Sequence, residues 1–280
     1  MVCPRRPRAT DFHEARLERL SDDFRGKYRH SDHLDGIERA HDRLLALRRD
    51  RIHFPTVIPG LIDARKVPKH PANVLVFMQT ALRRGLELTD SMIRDANAFS
   101  YTPVWVSSRS LFELGALVFD VSDQVSDLVA DWNVARYLEF ESHLVQIMLG
   151  FKSARWHPGL EKSEHLDLVP HNILGIIQRI EKRHIPGFVG LYELLSEVAH
   201  PNYMGMMEQY HTLDDHATTA EFHDRPAERD IALIEIPLQN AEGALLMLGD
   251  GIESYESNLT KYALLCMKNL PAGSRRPGRK

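Results

Sequence analysis

The sequence lacks the features that identify several large classes of protein. It has only two cysteines, Cys3 and Cys266, which are too few for a disulfide framework and favour a reducing compartment. No apolar run approaches the roughly 20 residues that a membrane span needs. The first ten residues contain no apolar segment typical of a secretory signal. We therefore expect a cytoplasmic protein that does not enter a membrane.

The chain also lacks a large excess of either positive or negative charge. The 280 residues carry a formal net charge of −4, and 43% of them are apolar. The chain can build a large core, but it is not the strongly basic domain typical of nucleic-acid binders, so any such binding must come from a local patch. It also has no P-loop, no dinucleotide fingerprint, no nucleophile-elbow motif and no Cys-x-x-Cys pair. Nucleotide hydrolysis of the common kinds is therefore not expected.

What the sequence does contain is helical periodicity, which predicts an all-α protein in four segments. Residues 1–10 form a basic arm and residues 271–280 a basic tail, both expected to be disordered. Residues 11–71 hold charged N-terminal helices and a proline-rich linker, and residues 72–270 hold the main bundle. The fold class is an up-and-down helical bundle with accessory N-terminal helices and at most one short β-hairpin.

Apolar residues at helical spacing define the individual elements. A first charged helix is expected over 11–24, and two short strands, 218–223 and 231–236, would pair as the β-hairpin. The bundle helices are predicted over residues 72–99, 104–121, 125–150, 169–182, 188–199 and 238–270.

The predicted helix 104–121 is apolar around nearly its whole circumference. At about 100° per residue, its three charges, Arg109, Glu113 and Asp120, fall in one narrow stripe. A helix of this kind is expected at the centre of the bundle. Buried Arg and Glu are tolerated only when they are paired. The stripe is therefore either the one exposed seam of the helix or part of a buried polar site.

A second polar line occurs in the predicted helix 188–199. Tyr192, Ser196 and His200 follow one another at spacings of four along the edge of an apolar arc. This line is either the polar border of an amphipathic helix or a partner of the first stripe. In the second case Arg109, Glu113, Tyr192, Ser196 and His200 form one network in apolar surroundings, where shifted pKa values mark candidate catalytic residues.

The two stripes also carry a family resemblance. The motifs R-S-L-F-E and Y-x-x-L-S-x-x-x-H-P resemble an uncharacterised bacterial family of helical proteins related to the HEPN superfamily, over roughly residues 72–270. The resemblance implies an all-helical bundle, an association with phage defence or toxin systems and, in some relatives, metal-independent ribonuclease activity. The matching residues are Arg109, Ser110, Glu113, Tyr192, Leu195, Ser196, His200 and Pro201.

The sequence departs from the catalytic members of that group in one respect. Catalytic HEPN ribonucleases share an Arg that holds a phosphate and, four to six residues later, a His that moves a proton. No Arg precedes His200 at that spacing, so Arg109 would have to supply the charge from another helix. The pair Arg179 and His184 has the spacing, but a chain with this many Arg and His residues contains such pairs by chance.

A metal site is the next alternative. Glu197-x-x-His200 is the i, i+3 pair of di-iron helical bundles, and Glu113 is one further ligand of the right type. Such a bundle needs a second Glu-x-x-His pair, and none lies wholly within a predicted helix of the 72–270 bundle. The histidines and aspartates between His211 and His223 lie in an irregular polar stretch, where solvated loop residues are the rule. We expect neither a metal nor a cofactor.

Two functions from different classes stay open. In the first, the protein is an RNA-directed component of a defence or toxin system, acting as a metal-independent ribonuclease or as an RNA-binding subunit. Arg109 would hold the phosphate, His200 would act as acid or base, and Tyr192 and Ser196 would orient them. In the second, it is a non-catalytic helical interaction protein that binds a protein partner and whose Arg109, Glu113 and His200 cluster is structural. A homodimer fits both functions.

Overall fold

A computed structural model describes residues 18–28, 30–54, 58, 68–149, 172–200, 206, 210–212, 220–224 and 226–270. These residues form a helical bundle with one antiparallel pair of three-residue strands, which confirms the predicted all-α class. The predicted basic arm 1–10 and basic tail 271–280 lie outside the described residues. None of the described helices is both long and apolar enough to cross a membrane. The helices are α1 (Asp22–Lys27), α2 (Ser31–Leu47), α3 (Lys69–Asn97), α4 (Tyr101–Ala130), α5 (Val134–Leu149), α6 (Ile173–Arg183), α7 (Phe188–Ala199), α8 (Pro226–Arg229) and α9 (Ala232–Asn269), and the strands are β1 (Tyr210–Thr212) and β2 (Ala220–Phe222).

Helix α4 lies at the centre of the bundle, as its nearly continuous apolar surface predicts. It packs against α3, α5, α6, α7 and α9. Helix α9 runs parallel to α4, because Trp105 reaches Leu233 near one end and Ser126 contacts Asn258 near the other. Helix α3 runs antiparallel to α9, because Pro71 near its start contacts Tyr255 and Gly85 further along lies against Leu248. Helix α2 runs parallel to α9, because His33 contacts Glu242 and Arg43 contacts Glu253. The consecutive helices α2, α3 and α4 therefore alternate in direction, and α9 returns beside α4.

Helix α4 supplies a hydrogen-bond donor that α9 lacks because of a proline inside it. Pro237 has no backbone N–H, so the carbonyl of Leu233, four residues earlier, loses its donor within the helix. The indole Nε1 of Trp105 donates to that carbonyl at 2.9 Å, and the hydroxyl of Ser108 donates to the carbonyl of Pro237 at 2.7 Å. These side chains fix the register of the two central helices.

Three predicted element boundaries are wrong. Residues 18–21 are not helical, and α1 begins only at Asp22, where Ser21 caps it by accepting a bond from the Phe24 amide. Helix α4 continues to Ala130, so the predicted helix 125–150 begins too early. The break falls after Ala130, and Asn133 caps the start of α5 through the amide of Arg136.

The predicted hairpin between 218–223 and 231–236 is wrong, although residues 220–222 do form a strand. Residues 220–222 pair with 210–212, in the register Tyr210 with Phe222. The predicted strand 231–236 instead begins helix α9. Its apolar residues continue the helical spacing, because Ile234, Pro237 and Leu238 are all buried on one side. Tertiary packing of that side overrides the strand propensity of the isoleucines.

The N-terminal helices share the core of the main bundle. Phe24 in α1 and Leu34, Ile37 and Leu44 in α2 are fully buried in the same apolar cluster as α3, α4 and α9. Helix α2 lies beside α9, where Arg43 binds both Asp250 and Glu253. Burial of one apolar face accounts for the dense mixture of charges on the other.

The close approach of α4 and α9 leads to a prediction with its control in the same pair of helices. A Cβ atom at Gly115 would lie 2.7 Å from the carbonyl oxygen of Ala244, whereas one at Gly243 would meet no atom within 4 Å. We expect Gly115→Ala to lower the free energy of unfolding by about 1 to 2 kcal/mol, because the helices must separate. Gly243→Ala should raise it by up to about 1 kcal/mol through helix propensity. Urea unfolding measures both, and equal stability of the two variants would contradict this packing.

Candidate functional site

The site is built where α7 lies against α4. Gly187 adopts a left-handed φ of 83°, which ends the turn after α6 and starts α7. The ring of Phe188 then stacks on Phe112 of α4, with centroids 4.3 Å apart. Leu195 and Val198 are buried on the same side of α7. The observed bounds of α7 are those predicted, 188–199, and its orientation turns the polar edge of the helix toward Arg109.

Four of the five predicted site residues meet there. Arg109 Nη2 lies 3.2 Å from Glu113 Oε1 and donates to the Tyr192 hydroxyl at 3.5 Å. The Tyr192 hydroxyl donates to Glu113 Oε1 at 3.3 Å, which closes a triangle. Arg109 Nη1 lies 3.4 Å from His200 Nε2. The structure thus joins the charged stripe of α4 to the polar line of α7.

Ser196, the fifth predicted residue, makes none of these contacts. Its hydroxyl is buried and has no hydrogen-bond partner among the described residues. The backbone carbonyl of Ser196 accepts from the His200 amide, which ends α7. The orienting role predicted for the Ser196 side chain therefore has no contact to support it. Ser196 and Tyr192 instead line a groove of about 550 Å³ between α6 and α7.

The cluster is partly open to water. The side chains of Arg109 and Glu113 are 25% and 31% exposed, so their ion pair is neither fully exposed nor fully buried. His200 is exposed at the end of α7. A guanidinium can only donate, so in its contact with Arg109 the Nε2 atom of a neutral His200 accepts, and the ring proton is on Nδ1. The arrangement places a fixed positive charge beside a proton acceptor at a solvent-accessible edge.

The third charge of the stripe, Asp120, belongs to a different network. Its carboxylate is buried and receives two bonds from Arg179 on α6, both 3.0 Å, and one from Gln124 at 2.7 Å. These bonds hold α6 to a part of α4 that lies further along the helix than the part in contact with α7. The sequence contained a signal for this pairing that we missed: three carboxylates on one side of α4 face three cationic or imidazole groups on α6. The pairs are Asp120 with Arg179, Asp123 with Arg183 and His184, and Asp127 with Arg183.

This network contains Arg179 and His184, the pair that has the ribonuclease spacing in sequence. Arg179 is bound to Asp120, and His184 Nε2 lies 3.2 Å from Asp123 Oδ2 while its ring contacts Phe119 edge-on. Neither residue contacts the Arg109 cluster. The geometry therefore assigns Arg179 to the attachment of α6.

The metal alternative finds no support in the described part of the chain. No group of three or more His, Cys, Asp or Glu side chains there is placed to hold a metal ion. Glu113, the proposed further ligand, is bonded to Arg109 and Tyr192 instead. Most of the polar stretch between His211 and His223 lies outside the described residues.

The fold and the cluster together define an all-α bundle with a half-buried Arg–Glu–Tyr–His site between two helices. Comparisons of the chain with protein-family models, with curated proteins and with solved structures gave no match. The functional argument therefore rests on the chemistry of these four residues.

Proposed function

We propose that the protein is an RNA-directed, HEPN-like component of a bacterial defence or toxin system in the cytoplasm, and that it cleaves RNA without a metal ion. One observation supports this proposal above the others. Residues 91 positions apart in sequence, Arg109 and His200, bring a guanidinium and an imidazole to 3.4 Å at an accessible edge. Phosphodiester cleavage needs a cation for the phosphate and a group that moves protons.

The roles follow from the donors and acceptors. Arg109 binds a phosphate oxygen through its outer nitrogens, while Glu113 and Tyr192 hold the guanidinium in place. Once Arg109 turns from His200 to the phosphate, the freed Nε2 atom of His200 removes the proton from the ribose 2′-hydroxyl. The oxygen of that hydroxyl bonds to phosphorus as the bond from phosphorus to the 5′-oxygen breaks. The products are a 2′,3′-cyclic phosphate and a 5′-hydroxyl end, which receives its proton from the imidazolium. The nucleophile is the 2′-hydroxyl, so the substrate is RNA.

A second candidate function is favoured by the pairing of Arg109. Its charge is compensated within α4 by Glu113, and the triangle with Tyr192 attaches α7 to the bundle. In this alternative the cluster is structural, and the protein binds a protein partner or a second copy of itself without catalysis.

Cleavage of labelled RNA by matched variants distinguishes the two functions. We expect wild-type protein to cleave with or without a chelator. His200→Ala and Arg109→Gln should each lose about 100-fold or more in rate, the usual value of a general base or a phosphate contact. His184→Ala and Arg183→Gln change the same residue types on α6 and should keep the wild-type rate.

The same preparations are also compared in urea unfolding. If wild type does not cleave RNA, and His200→Ala and Arg109→Gln are clearly less stable, the ribonuclease proposal is rejected. The cluster is then structural, as in the second candidate function. Cleavage that survives in His200→Ala and disappears in His184→Ala would move the active site to α6 and contradict the assignment made above.

A further inference from the structure

A cluster of arginines lies at the end of α2, away from the Arg109 site. Arg48, Arg49 and Arg51 follow the last turn of α2, and Arg83 lies on α3 beside them. Arg48 Nη2 and Arg83 Nη2 lie 3.2 Å and 3.5 Å from the same oxygen, Asp50 Oδ1. One exposed carboxylate therefore brings together a guanidinium group from the end of α2 and one from α3. We name these four arginines the α2–α3 basic patch.

The backbone under this patch is fixed by α3. Gln79, which is buried, accepts from the Arg49 amide at 3.0 Å and donates to the Leu47 carbonyl at 3.1 Å. Arg83 Nη2 donates to the Arg49 carbonyl at 2.8 Å. The turn that carries the arginines is thus ordered before any ligand binds, which lowers the entropic cost of binding.

The patch has an excess of positive charge that is open to water. Its four arginines face two carboxylates, Asp50 and Glu256, so its formal charge is +2 in a chain of net charge −4. Arg51 is exposed and has no ion pair among the described residues. The side chains of Arg48, Arg49 and Arg83 are 32%, 37% and 41% exposed.

We propose that the α2–α3 basic patch binds the phosphodiester backbone of single-stranded RNA. The inference rests on the proposed function, for which it supplies the surface that holds the substrate. Guanidinium groups bind phosphate oxygens in pairs, and several on one ordered surface follow a backbone of repeated charges.

Binding is tested with a fluorescent 2′-O-methyl oligonucleotide, which cannot be cleaved through its 2′ position. We compare Arg48→Gln/Arg51→Gln with Arg94→Gln/Arg136→Gln, which removes the same charge from two arginines that are 56% and 58% exposed elsewhere. For single strands each phosphate contact contributes about 0.7 to the slope of log affinity against log salt. The patch variant should therefore bind about 25-fold more weakly at roughly 0.1 M salt, with a slope smaller by about 1.4. The control variant should bind as wild type does.

If the two double variants bind with equal affinity, or if wild type does not bind, the proposal that the α2–α3 basic patch binds RNA is wrong. Equal competition by polyglutamate at the same charge concentration would also overturn it, because the surface would then select acidic peptides. The outcome is separate from that of the cleavage test. If binding depends on the patch but no RNA is cleaved, the proposed catalysis is wrong and the proposed RNA-binding surface stands. If RNA is cleaved but binding does not depend on the patch, the proposed surface is wrong and the catalysis stands.

Discussion

Replacing Arg179 with Met should lower the free energy of unfolding by about 3 kcal/mol, because it leaves a buried carboxylate without its cation. The Asp120 side chain is only 6% exposed, and two of its three hydrogen bonds come from Arg179. Gln124 alone would remain as a donor. Urea unfolding at pH 7.5 gives the loss directly.

Two further variants make this result specific. Arg183→Met changes the same residue type one turn later on α6, but its partners Asp123 and Asp127 are 21% and 41% exposed, so we expect a loss of at most about 1 kcal/mol. Asp120→Asn in the Arg179→Met background should recover most of the loss, since a neutral amide is cheaper to bury than a carboxylate. Equal losses for the two arginines would show that the Asp120 carboxylate is not isolated from water.

Sequence periodicity was sufficient to predict the helices that build the site, for a physical reason. Both α4 and α7 bury apolar faces, so the polar residues at the edges of those faces have few places to lie. Arg109 and Glu113 are one turn apart, as are Tyr192 and Ser196, and a helical stripe places such residues side by side. Once α7 packs through Phe188 on Phe112, Tyr192 must face Glu113. The polar line of α7 also included Ser196, whose hydroxyl has no hydrogen-bond partner among the described residues, because spacing predicts the direction of a side chain and not its partner.

Other features depend on pairings between distant segments, which show only when the charges of two helices are compared and not from the periodicity of either helix alone. Asp120 was assigned to the same stripe as Arg109, but its partner Arg179 is on a helix that follows residues 150–171, outside the described part of the chain. The strand predicted over 231–236 failed for a related reason. A proline at 237 argues against a helix until Trp105, from another helix, supplies the missing donor to Leu233.

Acidification should destabilise the protein through a buried histidine, by roughly 3 kcal/mol between pH 7.5 and pH 4. His70 is buried among Tyr137, Phe140 and Tyr262, and burial lowers its pKa from the ordinary 6.5 to about 4. The unfolded chain therefore takes up the proton near pH 6.5, but the folded protein only near pH 4. The free energy of unfolding is highest above pH 6.5 and falls as the pH drops from there to 4. Urea unfolding across this range measures the effect.

His70→Asn isolates this contribution, because the amide can still bond to the Tyr262 hydroxyl, which lies 2.9 Å from His70 Nδ1, but does not titrate. The variant should be less stable than wild type at pH 7.5 through lost packing and should lose less on acidification. His41 keeps part of the acid sensitivity, since burial lowers its pKa as well, against the opposing effect of Asp90. If His70→Asn and wild type lose the same stability between pH 7.5 and pH 4, the charge on His70 is not excluded from the folded core.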